Sequence, residues 1–228
     1  MSERQSMFDT LLELPLFKGV SREKIADIVG KVKFHFLKYP EDTVFLRPGD
    51  VTEHLFFVLS GKVTLTIASE DNRFSVGQTL AGPDVIMPDF LFGMATTYPC
   101  TGVTIEPTSI LQIEKSDFLK ILSMDSVVLL NYLNTLSTNS QKSLSGIVAL
   151  SDGNIETRIA FWIIALTQPT ATDISLQCRQ RDLSGVFGVQ RSALVNALDR
   201  MKNAGLVDYE PGTIKILDRK GLFKLLLP

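Results

Sequence analysis

The sequence predicts an α+β protein: an N-terminal antiparallel β-roll of the jelly-roll kind, then a long helix, then a C-terminal winged helix-turn-helix. Three observations carry this. Short β-branched and aromatic runs between turn residues fill residues 33–114. A helical period returns over residues 116–150. Two short amphipathic helices around a glycine, with two short strands after them, occupy residues 179–216.

Taken in order, residues 6–31 read as helical, with Phe8, Leu11, Leu12 and Leu14 ahead of Pro15 and Ser21 placed as an N-cap before an apolar run. The runs FHFLKY, TVFLRPGD, HLFFVLSG, KVTLTIAS, SVGQTLAG, TGVTI and SILQIE follow, punctuated by Gly49-Asp50, Ser60-Gly61 and Pro83-Asp84. Several short strands at close spacing argue for an antiparallel sandwich or roll. SDFLKIL is a short helix begun by Ser116, and a long helix follows it. Leu129, Leu133, Leu136, Ser140, Ser143, Ile147 and Leu150 recur at alternating steps of four and three, an a/d seam with a small polar middle. Ser151-Asp152-Gly153-Asn154 is a run of turn formers and the expected linker. The domains expected are therefore 1–115, 116–150 and 151–228. Ile155 to Thr167 is a strongly apolar helix ended by Pro169, and Ile174-Ser175-Leu176 a short strand expected to pair with the wing.

In the C-terminal stretch RQRDLSGVFGVQRSALVNALDRMKNAGLV, Arg179 to Phe187 forms the first helix, with Leu183, Val186 and Phe187 on its inner side. Gly188 turns the chain, since glycine takes positive φ without a Cβ clash. Gln190 to Lys202 forms the second helix. At about 100° per residue, Leu194, Ala197, Leu198 and Met201 share one side. Arg191, Ser192, Val195, Asn196 and Asp199 share the other. Gly205 stops the helix. Leu206-Val207 and Thr213 to Ile216 read as two strands around a turn over Asp208 to Gly212, which is a wing. A helix buried on one side and carrying Arg, Ser and Asn on the other suits a DNA major groove, where arginine forks onto guanine and asparagine onto adenine. The first helix braces it across the backbone.

This stretch resembles the Crp/Fnr family of bacterial transcription regulators. The order PGD, then LFFVLSGKVTLT, resembles the same family's cyclic-nucleotide-binding roll, so the resemblance covers nearly the whole chain. It implies a homodimer paired through the long helix, with double-stranded DNA and RNA polymerase as partners. Arg191 is expected on a base, Ser192 and Asn196 tuning the sequence, and Arg179, Gln180 and Gln190 near phosphates. The position of Ser192 is often Glu in the family, which implies a different operator. Asp199 also lies on the outer side and its charge repels phosphate, but nearly two turns further along it is expected to point past the groove rather than into it.

One departure stands out. The family's phosphate cassette has a Gly-Glu pair and, about ten residues on, an arginine that forks onto the phosphate. Here the corresponding stretch is AGPDVIMPDFLFGMATTYPCTGVTI, and no arginine occurs between Arg73 and Arg158. Cyclic AMP and cyclic GMP are therefore not expected as ligands of the usual kind. Met87, Phe90, Phe92 and Met94 either line an apolar effector pocket or belong to ordinary core. Ser140 and Ser143 fall near where the family's ligand touches the long helix. No cysteine precedes Cys100, which removes an N-terminal iron–sulfur set. His35 and His54 are the only histidines and make haem remote. Cys100 has no neighbouring cation in sequence to stabilise a thiolate.

Composition fits this reading. The 228 residues carry a net charge of −2, divided as +3 over residues 173–228 (9 Lys/Arg, 6 Asp/Glu) and −5 over the rest (14 and 19). The C-terminal part is thus the basic one, a weak asymmetry. Two distant cysteines give neither a disulfide scaffold nor a metal spacing, and a cytoplasmic protein is expected. No signal peptide or membrane span is expected. Catalysis is not expected, because no nucleophile, P-loop or metalloprotease motif is present. The competing reading is a ligand- or protein-binding module of the same fold that no longer binds DNA.

Overall fold

A computed structural model describes residues 3–71, 73–152 and 154–226, with side chains over 8–71, 73–144 and 154–226. The chain forms two compact units, one of residues 1–64 and 80–139, the other of residues 65–79 and 140–228.

The first unit opens on helix α1 (Glu3–Glu13), a 3₁₀ turn (Pro15–Phe17) and helix α2 (Arg22–Lys31). The stretch expected to be helical is interrupted at Pro15, which lacks an N–H and holds Leu14 extended at φ −66, ψ 139. Ser21 caps α2 as expected, its Oγ accepting from the Lys24 N–H at 3.3 Å. The strands that follow in the chain are β1 (His35–Tyr39), β2 (Val44–Leu46), β3 (His54–Ser60), β4 (Lys62–Ala68), β5 (Phe74–Ala81), β6 (Asp84–Ile86), β7 (Cys100–Thr104) and β8 (Thr108–Glu114), of which the end of β4 and most of β5, within residues 65–79, belong to the second unit. Strand β6 is unforeseen: only Pro83 belongs to the turn, and buried Asp84 already pairs with Val58.

One antiparallel sheet runs β1-β8-β3-β6. Its central strand β3 is buried on both faces, which is why it reads as an unbroken apolar run rather than an alternation. Leu55 and Phe57 pack into the core shared with α1 and α2, the Phe57 ring 6.0 Å from Phe17. Phe56 faces the roll interior, 6.0 Å from Tyr98. Truncating a ring buried like Phe57 to alanine costs about 3–5 kcal/mol. Gly61 turns the chain between β3 and β4 at φ +86, where a Cβ would lie 2.7 Å from the Pro107 carbonyl oxygen. Helix α3 (Lys115–Met124) starts one residue ahead of the expected Ser116 cap, with Glu114 at the N-cap. Helix α4 (Ser126–Asp152) follows, so the expected linker at 151–154 is shorter than its composition suggests. Asn154 is the N-cap of the next helix, its Oδ1 accepting from the Thr157 N–H at 2.9 Å, and Gly153 lies outside the described residues.

The second unit holds α5 (Ile155–Leu166), β9 (Thr172–Cys178), α6 (Gln180–Phe187), α7 (Arg191–Asn203), β10 (Val207–Glu210), β11 (Thr213–Ile216) and α8 (Arg219–Lys224). Strand β9 pairs with β11 as the sequence predicts, through Ile214↔Leu176 and Lys215↔Ser175. It is longer than the three residues expected, and its other edge pairs with β5. The wing also differs. Asp208 to Glu210 are strand, and the turn is Pro211-Gly212, with Gly212 at φ +92 after a proline. Helix α8 has no counterpart in the sequence reading. Asp218 caps it, accepting from the Gly221 N–H at 2.9 Å, and Leu222 is buried.

Candidate nucleic-acid interface

Helix α6 packs through Leu183 and Phe187, one turn apart. Val186, expected on the same side, is 58% exposed. Val186 stands about 100° round the helix from Phe187 and turns out of the stripe that Leu183 and Phe187 bury. Gly188 ends α6 at φ 62, ψ 34, and the Val189 N–H reaches back to the Ser184 carbonyl at 3.0 Å. Gly205, at φ +71, ends α7 the same way, with the Leu206 N–H on the Met201 carbonyl at 3.0 Å.

Helix α7 has the two sides its periodicity predicts. Leu194, Ala197, Leu198 and Met201 are buried, while Arg191, Ser192, Asn196 and Asp199 are exposed and Val195 is half-buried. Gln190, the N-cap, is exposed, as is Arg179, the N-cap of α6. Gln180 is half-buried, and its Oε1 accepts from Arg191 Nε at 3.4 Å and from Arg191 Nη2 at 3.3 Å. The structure thus joins two residues that the sequence placed in separate roles. Glu156 of α5 pairs with Arg200 at 2.5 Å, which fixes the far end of α7.

The wing is tied to α7 by a network that sequence reasoning missed. The Tyr209 hydroxyl donates to Asp199, Lys202 Nζ lies 5.7 Å above the Tyr209 ring, and Lys202 pairs with Asp208 at 2.6 Å. The hydrogen bond to Lys202 holds the Asp208 carboxyl below its ordinary range, and the same contact raises the Lys202 ammonium. Only the three-dimensional return of β10 along α7 brings these residues together. No spacing rule within one element signals them.

The residues considered for an effector are spread out. Met87 is buried, at φ 41, with its Sδ 3.6 Å from Cys100 Sγ. Phe90 and Phe92 are half-buried. The Phe92 ring lies 6.0 Å from that of Tyr132 and beneath Lys115 Nζ at 5.1 Å. Met94 stands fully in solvent, so the four do not form one lining. The 3₁₀ turn Pro88–Phe90 is stitched to α4: the Tyr132 hydroxyl donates to the Pro88 carbonyl at 3.0 Å, and Asn139 Nδ2 to Asp89 Oδ2 at 2.7 Å. Ser140 and Ser143 are exposed on α4. Among the described residues no group of His, Cys, Asp and Glu could hold a metal ion, and no helix is long and apolar enough to cross a membrane.

Residues 36–125 match the cyclic nucleotide-binding domain family, and residues 157–225 match the Crp-like helix-turn-helix domain family. The chain belongs to the Crp/Fnr family of transcription regulators. Among Crp/Fnr relatives, it is similar to the cyclic AMP receptor protein of Thermus thermophilus, 24% identical over 210 residues, which cover 89% of this chain and 92% of that one. It is also similar to the cAMP-activated global transcriptional regulator CRP of Pasteurella multocida, 19% identical over 189 residues, 80% and 90% of the two chains. Solved structures of the same fold include the T. thermophilus catabolite activator protein, with TM-score 0.54 and 21% identity over 93% of this chain and 98% of that one. The sensor domain of the regulator DNR from Pseudomonas aeruginosa matches with TM-score 0.53 and 15% identity, over 60% and 91%.

Proposed function

We propose that this Crp/Fnr regulator binds a specific, imperfectly palindromic DNA site as a homodimer and regulates transcription from it. The observation that carries this reading is the division of α7, buried along Leu194, Ala197, Leu198 and Met201 and bare along Arg191, Ser192 and Asn196. Arg191 reads a base, guanine by preference; Ser192 and Asn196 tune the sequence; Arg179, Gln180 and Gln190 lie near phosphates. A two-fold axis sets the two recognition helices about 34 Å apart, one turn of DNA.

The face of α4 supports the pairing. Leu130 is 56% exposed, Leu133 46% and Leu144 65%, and with exposed Ser137 and Ser140 they recur at steps of three and four. Leu129 and Leu136, expected on the seam, are half-buried against the unit's own core, so the pairing face keeps Leu133 and Ser140 and takes Leu130 and Ser137 in their place. Ile147 and Leu150 lie outside the described side chains.

The roll serves an unidentified small-molecule effector other than cyclic AMP or cyclic GMP. With no arginine between Arg73 and Arg158, a buried phosphodiester lacks the fork that offsets its desolvation. RNA polymerase is the partner that regulation from a DNA site implies. Selection of random duplexes by the purified protein, with and without cell extract, tests this function. A palindrome is expected, with affinity falling steeply as salt rises, because phosphate contacts release counterions. A pool that stays random at low salt defeats the reading in favour of a module that has lost DNA.

A further inference from the structure

Residues 65–79, the outer part of the β4–β5 hairpin, belong to the second unit, where β5 pairs as one of its own strands. β5 pairs with β9 from Phe74↔Cys178 to Thr79↔Thr172, on the edge of β9 that β11 leaves free. Gln78 is 1% exposed, and both ends of its amide are used: Nε2 donates to the Leu166 carbonyl at 3.3 Å, and Oε1 accepts from the Gln168 N–H at 2.7 Å. A buried amide of this kind is costly to leave unpaired, so the hydrogen bonds define one seating of the hairpin. The Phe74 ring lies 4.9 Å from that of Trp162, and Trp162 lies 5.8 Å from Phe187. Phe187 is the last residue of α6, directly before the Gly188 turn, and its carbonyl accepts from Arg158 Nη1 at 3.1 Å. The row of rings thus ends at the turn that sets α6 against α7. Arg191, Ser192 and Asn196 stay exposed with the hairpin seated, so it braces the helices without covering them.

We propose that Phe74 and Gln78 are positioning residues for DNA binding: the seated hairpin holds the helix-turn-helix in its binding geometry through Trp162 and Phe187. This rests on the DNA-binding reading above. It makes a segment of the β-roll sequence, far from the helix-turn-helix in the chain, part of the DNA-binding machinery.

Trp162 is the only tryptophan in the chain, so its emission reports the hairpin directly. In the full-length protein, Phe74→Ala is expected to red-shift Trp162 and to weaken binding to the duplex selected by the wild type about tenfold. The slope of log affinity against log salt should hold, because no phosphate contact is lost. Phe74→Tyr should restore both emission and affinity. Gln78→Met, of similar length but without hydrogen bonds, should weaken binding with the parent slope and tests the seating without touching the ring. It decides the matter if Phe74→Ala does not fold. An emission shift with affinity held within about twofold reduces the contact to packing and overturns the proposal. Unchanged Trp162 emission in Phe74→Ala overturns it too, by removing the contact. A wild type that selects no duplex removes this proposal together with the DNA reading, while the emission shift still reports whether the hairpin is seated.

Discussion

Tyr209, on the first wing strand, donates its hydroxyl proton to the carboxylate of Asp199 on the recognition helix. Asp199 stands on the exposed side of α7 and is an anchor of the wing. Tyr209→Phe is expected to lower stability by about 1 kcal/mol in urea unfolding, the ordinary worth of one hydrogen bond at an exposed site. Asp199→Asn keeps an acceptor and should cost less. The bond to Asp199 raises the phenol above its ordinary 10.0, so its stabilisation is present below pH 10 and lost as pH rises through the raised value. Equal stability of Tyr209→Phe and the parent would mean that the Tyr209–Asp199 bond does not hold the wing, leaving that to the Lys202–Asp208 pair and the backbone.

Arg191 and Gln180 should separate in a binding experiment. On the proposed reading, in which Arg191 forks onto a base, Arg191→Ala is expected to cost about 1–3 kcal/mol on the selected duplex and to relax preference at one position of each half-site. Gln180→Ala leaves the guanidinium in place and removes only the long hydrogen bonds that aim it, so the loss should be smaller and the base preference kept. The check is affinity across a set of single-base variants of the site. Identical profiles for Arg191→Ala and the parent would remove that residue from base reading.

Cys100 should be chemically silent in the folded protein. Burial pushes its thiol up to about 12 from the ordinary 9.0, and the thiol donates to the Met87 sulfur, which is no cation. Only the thiolate is a nucleophile, so a thiol-specific disulfide reagent at neutral pH should react with Cys100 only after unfolding. The sign on stability follows: a raised folded value stabilises the protein below pH 9, and this contribution is lost as pH climbs towards 12. Fast labelling of Cys100 in the native state at pH 7 would contradict the burial.

Much of this architecture was legible from residue order because local and tertiary preferences agree. Leu194, Ala197, Leu198 and Met201 repeat at helical spacing and are the buried face of α7. Gly61 and Gly188 sit at positive φ where the pattern needed turns. Errors occurred where a neighbour in space decides. Val186 follows the helical period, yet the stripe that α6 buries stops at Leu183 and Phe187. Asp208 to Glu210 have turn-like composition, yet pairing with β11 makes them strand. The hairpin's place beside β9 could not be read from sequence, since nothing in the order of residues along β5 names its partner. The tie between Asp199 and Tyr209 is hidden for the same reason.

The exposed row on α4 yields the last prediction. Leu130, Leu133 and Leu144 hold three large apolar side chains out of their own core, at the spacing that a second helix fills knob into hole. Burying such a side chain contributes about 1.5–3 kcal/mol, and a symmetric pair uses each one twice. A charge at Leu133 meets its own copy or its close neighbours across the axis, so Leu133→Glu should turn a dimer into a monomer at micromolar concentration in sedimentation equilibrium. DNA affinity should fall with it, because a monomer holds only one half-site. Leu129→Ala instead trims a half-buried residue on the core side, and should lower the melting temperature more than it weakens the dimer. If Leu129→Ala dissociates the protein while Leu130→Glu leaves it paired, the seam lies where the heptad count alone had put it.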